Sequence, residues 1–309
     1  MNVLAIRPLH RLRELSIKFP SLTPLRVLPL LTLVQLLVGT ADSGLLFTPL
    51  AAWFALGGTL PRLLRSSLFW YVTATILGTG VYFTWESADN HRYLFVYWSL
   101  ALCCTFSLPR MEQPLALAIS SRWLLGLCML LAAAWKIASP DFVSGSFFHY
   151  ELLADERFAH FASWTSGLSL EQLGENRALR ESLVAGQLTG TELSQVQLQS
   201  APGIGAVAQV LTWWTLGIEG LLAGLFLAAA VFRRRPRLVL LANFALLFFA
   251  ATTYAVAPVR GFGGILMLLG LAQCEPEHKK LRYAFLAAFV LMQLCPLPLM
   301  DLMAVLRLA

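Results

Sequence analysis

Charge is what this chain has least of. Asp, Glu, Lys and Arg together make up 13% of its 309 residues, where a soluble domain carries about 25%, and the shortfall excludes a water-exposed globule of this length. Cysteine is scarce as well: Cys103, Cys104, Cys128, Cys274 and Cys295 all fall within or at the ends of apolar runs. That leaves no disulfide framework, and no C-x-x-C redox pair occurs. There is no internal repeat and no low-complexity segment, and the lack of an inverted repeat with paired broken helices argues against a transporter. Acidic residues are rare outside one internal stretch.

What the chain has in abundance is apolar sequence, at 58% of residues. Runs long enough to cross a bilayer recur along most of its length. The pattern predicts an all-α, polytopic membrane helix bundle with about nine spans, near 25–41, 44–58, 67–85, 91–108, 115–138, 204–232, 238–257, 260–274 and 282–300. The runs 44–58 and 260–274 are short for full spans and read as re-entrant or tilted. With residues 1–24 cytoplasmic, the inner face gathers 16 of the 23 basic residues, Arg122 among them, and only Glu14, Glu112, Glu275 and Glu277 of the 17 acids. This is the positive-inside bias expected of a multi-pass protein, with a bacterial inner membrane as its place. The net charge of +6 therefore calls for no nucleic acid, and the Arg233–Arg237 cluster reads as topology signal and contact with anionic membrane lipid. Gly39-Thr40-Ala41 faintly matches a signal-peptidase site, but a second apolar run follows at once, so an uncleaved first span is expected.

The organisation is thus residues 1–24 as a basic segment, 25–138 as five spans, 139–203 as an insertion and 204–309 as four more spans. The insertion carries eight acids against three arginines and belongs outside the cytoplasm under the same topology. Ser169-Leu170-Glu171-Gln172 and Thr189-Gly190-Thr191-Glu192 are capping-box patterns that predict two short helices. Phe147, Phe148, Leu152, Leu153, Phe158, Phe161 and Trp164 form an amphipathic stretch suited to the membrane surface, as a cap over a cavity or a packed lid on the bundle. His149 and His160 lie eleven apart, which matches no standard metal-ligand spacing.

Ionisable residues inside apolar runs are where chemistry is expected. Lys136 ends the run 115–138; an intramembrane lysine costs roughly 2.5–3.5 kcal/mol at the bilayer centre. Either it snorkels to the interface, or partial burial disfavours its charged form and makes the amine a usable base. His91 opens the fourth run at the same outer depth, as an interfacial helix start or as the partner of Lys136 in an acid–base pair. Glu219 lies mid-span, with Lys136 or Arg122 as a candidate cationic partner, or as a protonated acid bonded to a neighbouring helix. Arg260, at the outer face, suits an anionic or carbonyl-bearing substrate.

Three segments carry a family likeness. Asp89-Asn90-His91-Arg92-Tyr93-Leu94 resembles the Asn-His segment of the vitamin K-dependent γ-carboxylases. Trp135 and Lys136, followed by Ile137-Ala138-Ser139-Pro140-Asp141-Phe142-Val143-Ser144-Gly145, resemble that family's lysine–Asp–aromatic–x–x–Gly stretch. Glu219-Gly220-Leu221-Leu222-Ala223-Gly224 is similar to its intramembrane acid followed by Ala-Gly. The three occur in the family's order across about 67–275, and the chain resembles the bacterial branch of that superfamily, the horizontally transferred transmembrane domain. The resemblance implies Lys136 as the base that deprotonates vitamin K hydroquinone or another naphthoquinol, His91 as stabiliser of developing charge and Glu219 as intramembrane acid. Asn90, Tyr93, Trp135, Asp141 and Arg260 would line the substrate. O2, and CO2 where carboxylation follows, would be co-reactants.

The sequence departs from the family in three ways. The Lys-to-Asp spacing is one residue longer, Phe142 stands for tryptophan, and Glu219 stands for Asp. The family's large lumenal domain has no counterpart in these residues, which points to quinol chemistry rather than carboxylation of a protein. Two function classes follow: an outer-leaflet membrane enzyme acting on a quinol, or a non-catalytic maturation or immunity protein that binds a secreted peptide or soluble partner.

Overall fold

The computed structural model describes residues 24–40, 47–87, 90–186, 197–232, 235–257, 259–274 and 277–294. The basic segment 1–23, Asp89, the Thr189–Glu192 pattern, Arg233, Arg234, Glu275 and the chain after Leu294 lie outside the described residues. Within them the chain is helical, with no strand. The bundle helices are α1 (Pro24–Thr40), α2 (Phe47–Thr59), α3 (Ser67–Phe83), α4 (Asn90–Ser107), α5 (Gln113–Ala138), α10 (Ile204–Val231), α11 (Pro236–Val256), α12 (Arg260–Ala272) and α13 (Lys279–Leu294). Between α5 and α10 stand the short α6 (Pro140–Val143), α7 (Ser146–Ala154), α8 (Ala159–Ser166) and α9 (Leu170–Val184). Among the described residues, three helices, α5, α10 and α11, are long and apolar enough to cross a membrane.

Proline marks several starts. It stands in the first turn of α5, α6 and α11, where its missing N–H would have had no helical partner anyway. Pro140 also ends α5, because the residue before a proline is pushed out of the helical region; Ser139 is extended, with ψ 113°.

The surprise of the architecture is α12. It has only 13 residues, yet Gly263 to Ala272 are all buried. A helix apolar on every side belongs inside a bundle, and α12 packs against α1, α4, α5, α11 and α13. Glycines make this fit possible. A Cβ on Gly263 would fall 2.4 Å from the Tyr254 ring, one on Gly264 1.6 Å from Gln35 Oε1, and one on Gly270 2.3 Å from Phe285. The short run 260–274 is thus a central helix enclosed by its neighbours.

Polar groups within the bundle are mostly paired, as a low-dielectric interior demands. Trp98 Nε1 donates to Thr32 Oγ1 at 2.9 Å, Trp53 Nε1 to Thr73 Oγ1 at 3.0 Å, and Trp70 Nε1 to the Leu64 carbonyl at 2.9 Å. Arg122 is buried within the bundle at 5% exposure. Meanwhile Leu127, Leu130, Leu131 and Trp135 form an exposed apolar face on α5, the surface a lipid-facing helix presents.

The insertion has its own core. Phe142, Phe148, Leu152, Leu153, Phe158 and Leu173 pack with Ile204 and Ala208 from the start of α10. The stretch 147–164 is therefore folded onto α10 rather than spread as one amphipathic face. The capping box at α9 forms in full: Gln172 N–H donates to Ser169 Oγ at 3.1 Å, and Ser169 N–H to Gln172 Oε1 at 2.9 Å.

Candidate active site

The site begins with a glycine. α5 and α10 make the most extensive helix–helix contact in the molecule. A Cβ on Gly126 would lie 3.0 Å from the backbone nitrogen of Leu227, so the bare backbone lets the two helices close up. Ten residues further along α5, Lys136 faces α10, and its Nζ donates to Glu219 Oε1 at 2.5 Å. The Glu219 side chain is 7% exposed and that of Lys136 25%. Charge-assisted bonds of this kind are the short, strong ones. The other carboxylate oxygen, Glu219 Oε2, is buried and accepts no hydrogen bond from the described residues. A carboxylate has about four acceptor positions, so the site retains unused capacity to accept.

Phe142 closes the third side. Its ring centroid lies 5.6 Å from Lys136 Nζ, within cation–π range. The loop that carries it is fixed locally. Ser139 Oγ accepts from Phe142 N–H at 3.4 Å, Gly145 takes a left-handed φ of 83° that favours glycine, and Gln209 Nε2 on α10 donates to the Ser144 carbonyl at 3.0 Å. Phe142 in turn meets Phe147 and Phe148, each at 5.4 Å between centroids. The result is an ammonium held between a buried carboxylate and an aromatic wall, where the insertion joins the bundle.

A second cluster gathers at the start of α12. A Cβ on Gly261 would fall 2.8 Å from His91 Nε2, so the imidazole lies directly on that backbone, with Phe95 edge-on at 5.8 Å. Gln35 Nε2 donates to the Gly261 carbonyl at 3.4 Å, and Gln293 Nε2 donates to Gln35 Oε1 at 2.7 Å. Tyr254 donates its hydroxyl hydrogen to the Val259 carbonyl at 2.9 Å. Arg260 and Asn90 are exposed at the same helix ends, and Tyr93 is 36% exposed. Lys136 meets Glu219 and Phe142, while His91 meets Gly261 and Phe95. Trp135, at 80% exposure, faces away from the pair, and Asp141 is exposed at the first turn of α6. The sequence reading missed Gly126, Gln35 and Gln293. The two glutamines were findable as polar residues within apolar runs; Gly126 carries no such mark among the 21 glycines of the chain.

An acid pair sits on the insertion. Burial, then a hydrogen bond and repulsion from Asp155, push the Glu151 carboxyl up to about 7. For Asp155, burial works upward but is outweighed by hydrogen bonds from Arg157 and Glu151, which hold it at about 2. The two titrate as a unit. Arg157 grips Asp155 with Nε at 3.0 Å from both oxygens, and its Nη2 lies 4.0 Å from Glu151.

No protein-family model matches the chain, and no curated protein or solved structure matches it. The fold and the side-chain geometry are therefore what bear on function.

Proposed function

We propose that this chain is an integral-membrane enzyme that takes a hydroxyl proton from a lipid-soluble quinol at the extracytoplasmic side of a bacterial inner membrane, with Lys136 as the base. The observation that carries the reading is the buried Lys136–Glu219 pair with an unpartnered carboxylate oxygen beside it. Transfer of one proton from Lys136 Nζ to Glu219 Oε1, heavy atoms 2.5 Å apart, leaves an amine with a lone pair. Lys136 can then accept a proton from a hydroxyl placed against it. Glu219 Oε2 accepts a hydrogen bond from that hydroxyl in the ground state. Phe147, 43% exposed and tilted against Phe142 at 5.4 Å, offers an apolar surface to an aromatic ring. The residual exposure of Lys136 gives access from outside the pair.

His91 and Arg260, at the outer ends of α4 and α12, stabilise negative charge that develops as the proton leaves, and Asn90 and Tyr93 line the approach. When bound, a naphthoquinol of the vitamin K hydroquinone type supplies the redox chemistry, quinol and O2 giving epoxide and water; CO2 enters only with an acceptor that a partner provides. The reading takes nine spans, a cytoplasmic N-terminus and an extracytoplasmic insertion. It also agrees with the resemblance to the vitamin K-dependent γ-carboxylases in its choice of lysine and intramembrane acid.

The test uses the purified full chain in lipid, with reduced naphthoquinone and O2, and follows the epoxide by mass spectrometry. Lys136→Ala and Glu219→Gln are run in parallel, with helicity and Tm measured on each. Epoxide from the wild type and none from a folded Lys136→Ala is the expected result. Epoxide from folded Lys136→Ala, or none from the wild type with naphthoquinols and benzoquinols alike, overturns the assignment and favours the peptide-binding alternative.

A further inference from the structure

At the end of the bundle opposite the candidate site, where α1 begins and α2 hands over to α3, a cavity of about 360 Å³ opens. Arg26, Arg62 and Arg65 line it, with Pro29, Leu30 and Leu64 as its apolar wall. Arg26 comes from the first turn of α1, Arg62 precedes a 3₁₀ turn at Leu63–Arg65, and Arg65 ends it. That turn is fixed, because Leu64 is buried and its carbonyl accepts from the indole of buried Trp70 at 2.9 Å.

Three guanidinium groups around one cavity repel one another unless an anion is present. Among the described residues, none before Glu86 is Asp or Glu, and none pairs with any of the three arginines. Arginine's planar fork suits phosphate oxygens, and basic pockets between helices at the cytoplasmic face are where anionic lipid headgroups bind. The volume lies at the low end of ligand pockets, roughly 300–1,000 Å³, which fits a headgroup but not a whole lipid. Leu30 and Leu60, 50% and 49% exposed beside the opening, offer acyl chains an apolar path outward.

We propose that this cavity binds the phosphate of an anionic phospholipid, with Arg26, Arg62 and Arg65 on the phosphate and the acyl chains along α1. The site is separate from Lys136 and independent of any quinol chemistry.

The full chain, purified in mild detergent, is incubated with phosphatidylglycerol or phosphatidylcholine, and retained lipid is counted by native mass spectrometry. Phosphatidylglycerol is expected to be retained in preference. At on the order of fivefold per arginine, Arg62→Gln/Arg65→Gln lowers its apparent affinity about 25-fold, whereas Arg235→Gln/Arg237→Gln, removing equal charge elsewhere, changes it about twofold or less. Gly58, which lines the cavity and has open space where a Cβ would stand, provides a test at constant charge. Gly58→Trp fills the cavity and lowers retention; Gly58→Ala does not. Equal loss in the two double-arginine variants, equal retention of the two lipids, or undiminished retention in Gly58→Trp overturns the site. Displacement of phosphatidylglycerol by millimolar inorganic phosphate overturns the lipid assignment in favour of a soluble phosphate.

Discussion

Breaking the Lys136–Glu219 pair from either side should give unequal penalties, because the two partners are unequally buried. Lys136→Met leaves Glu219, with a side chain 7% exposed, holding a carboxylate with neither oxygen bonded. Orphaning one partner of a buried pair costs about 3–5 kcal/mol. Glu219→Leu leaves Lys136, whose side chain is 25% exposed and whose four-carbon stem extends past the end of α5 to the interface. Its cost should be about 1–2 kcal/mol once solvent screening is allowed for. The double variant Lys136→Met/Glu219→Leu removes both charges together and should fall within about 1–2 kcal/mol of wild type, since apolar replacement of a buried pair is often neutral or better. The double-mutant cycle then yields a coupling energy of about 4 kcal/mol. Equilibrium unfolding in mixed micelles measures all four proteins. Additive penalties, or a larger cost for Glu219→Leu than for Lys136→Met, would refute the buried-pair geometry.

Other consequences follow from particular contacts. Gly264→Ala places a methyl 1.6 Å from Gln35 Oε1 and 2.9 Å from Gln293 Nε2, so it should lower stability by about 1–3 kcal/mol; Gly220→Ala, where a Cβ meets nothing within 4 Å, should be neutral or stabilising by Tm. Trp98→Phe removes the 2.9 Å bond to buried Thr32 and should cost about 1–3 kcal/mol in the same unfolding assay. On the insertion, folded Glu151 keeps its proton up to about pH 7 whereas the unfolded chain releases it near 4.5. Its contribution is therefore full below pH 4.5 and is lost as pH rises towards 7. Hydrogen exchange in α7 should accelerate from pH 5 to pH 8 beyond the intrinsic rate, and Glu151→Gln should abolish the excess.

The helices were legible because their cause is local. Apolar runs bounded by proline and polar turns map onto the bundle helices within a few residues, and Ser169-Leu170-Glu171-Gln172 forms its capping box as the pattern demands. Burial was less legible. The run 260–274 reads from sequence like a short or tilted span, and only the contacts of Gly263, Gly264 and Gly270 reveal that other helices surround it. Arg122 shows the same limit: no charge pattern reveals that the neighbours of α5 bury it. Lys136 and Glu219 stood out as charges in apolar sequence, with Lys136 and Arg122 as the two candidate partners of Glu219, and the structure pairs Glu219 with Lys136. Their pairing depends on the register of two antiparallel helices 83 residues apart, which no local pattern encodes.

That register has an identifiable physical origin in α10. Its first turns, at Ile204 and Ala208, belong to the insertion core, and its later residues Ile218, Leu222 and Phe226 belong to the bundle core. One 28-residue helix is thus anchored in two packed bodies. Glu219 falls where the bundle begins and Gln209 where the insertion is gripped. Gly126 fixes the approach of α5 to the bundle half, while Gln209 fixes the Phe142 loop to the other half. Lys136, at the end of α5 just before that loop, is therefore held from both sides. A carboxylate and an amine placed this way do not need the insertion for their own bond. They need it for the aromatic wall, because without α6 and α7 the Lys136 head would face water on the side that Phe142 now covers. The small insertion is accordingly best understood as the element that gives a partly buried ion pair an aromatic face, and α10 as the strut that sets the distance between them.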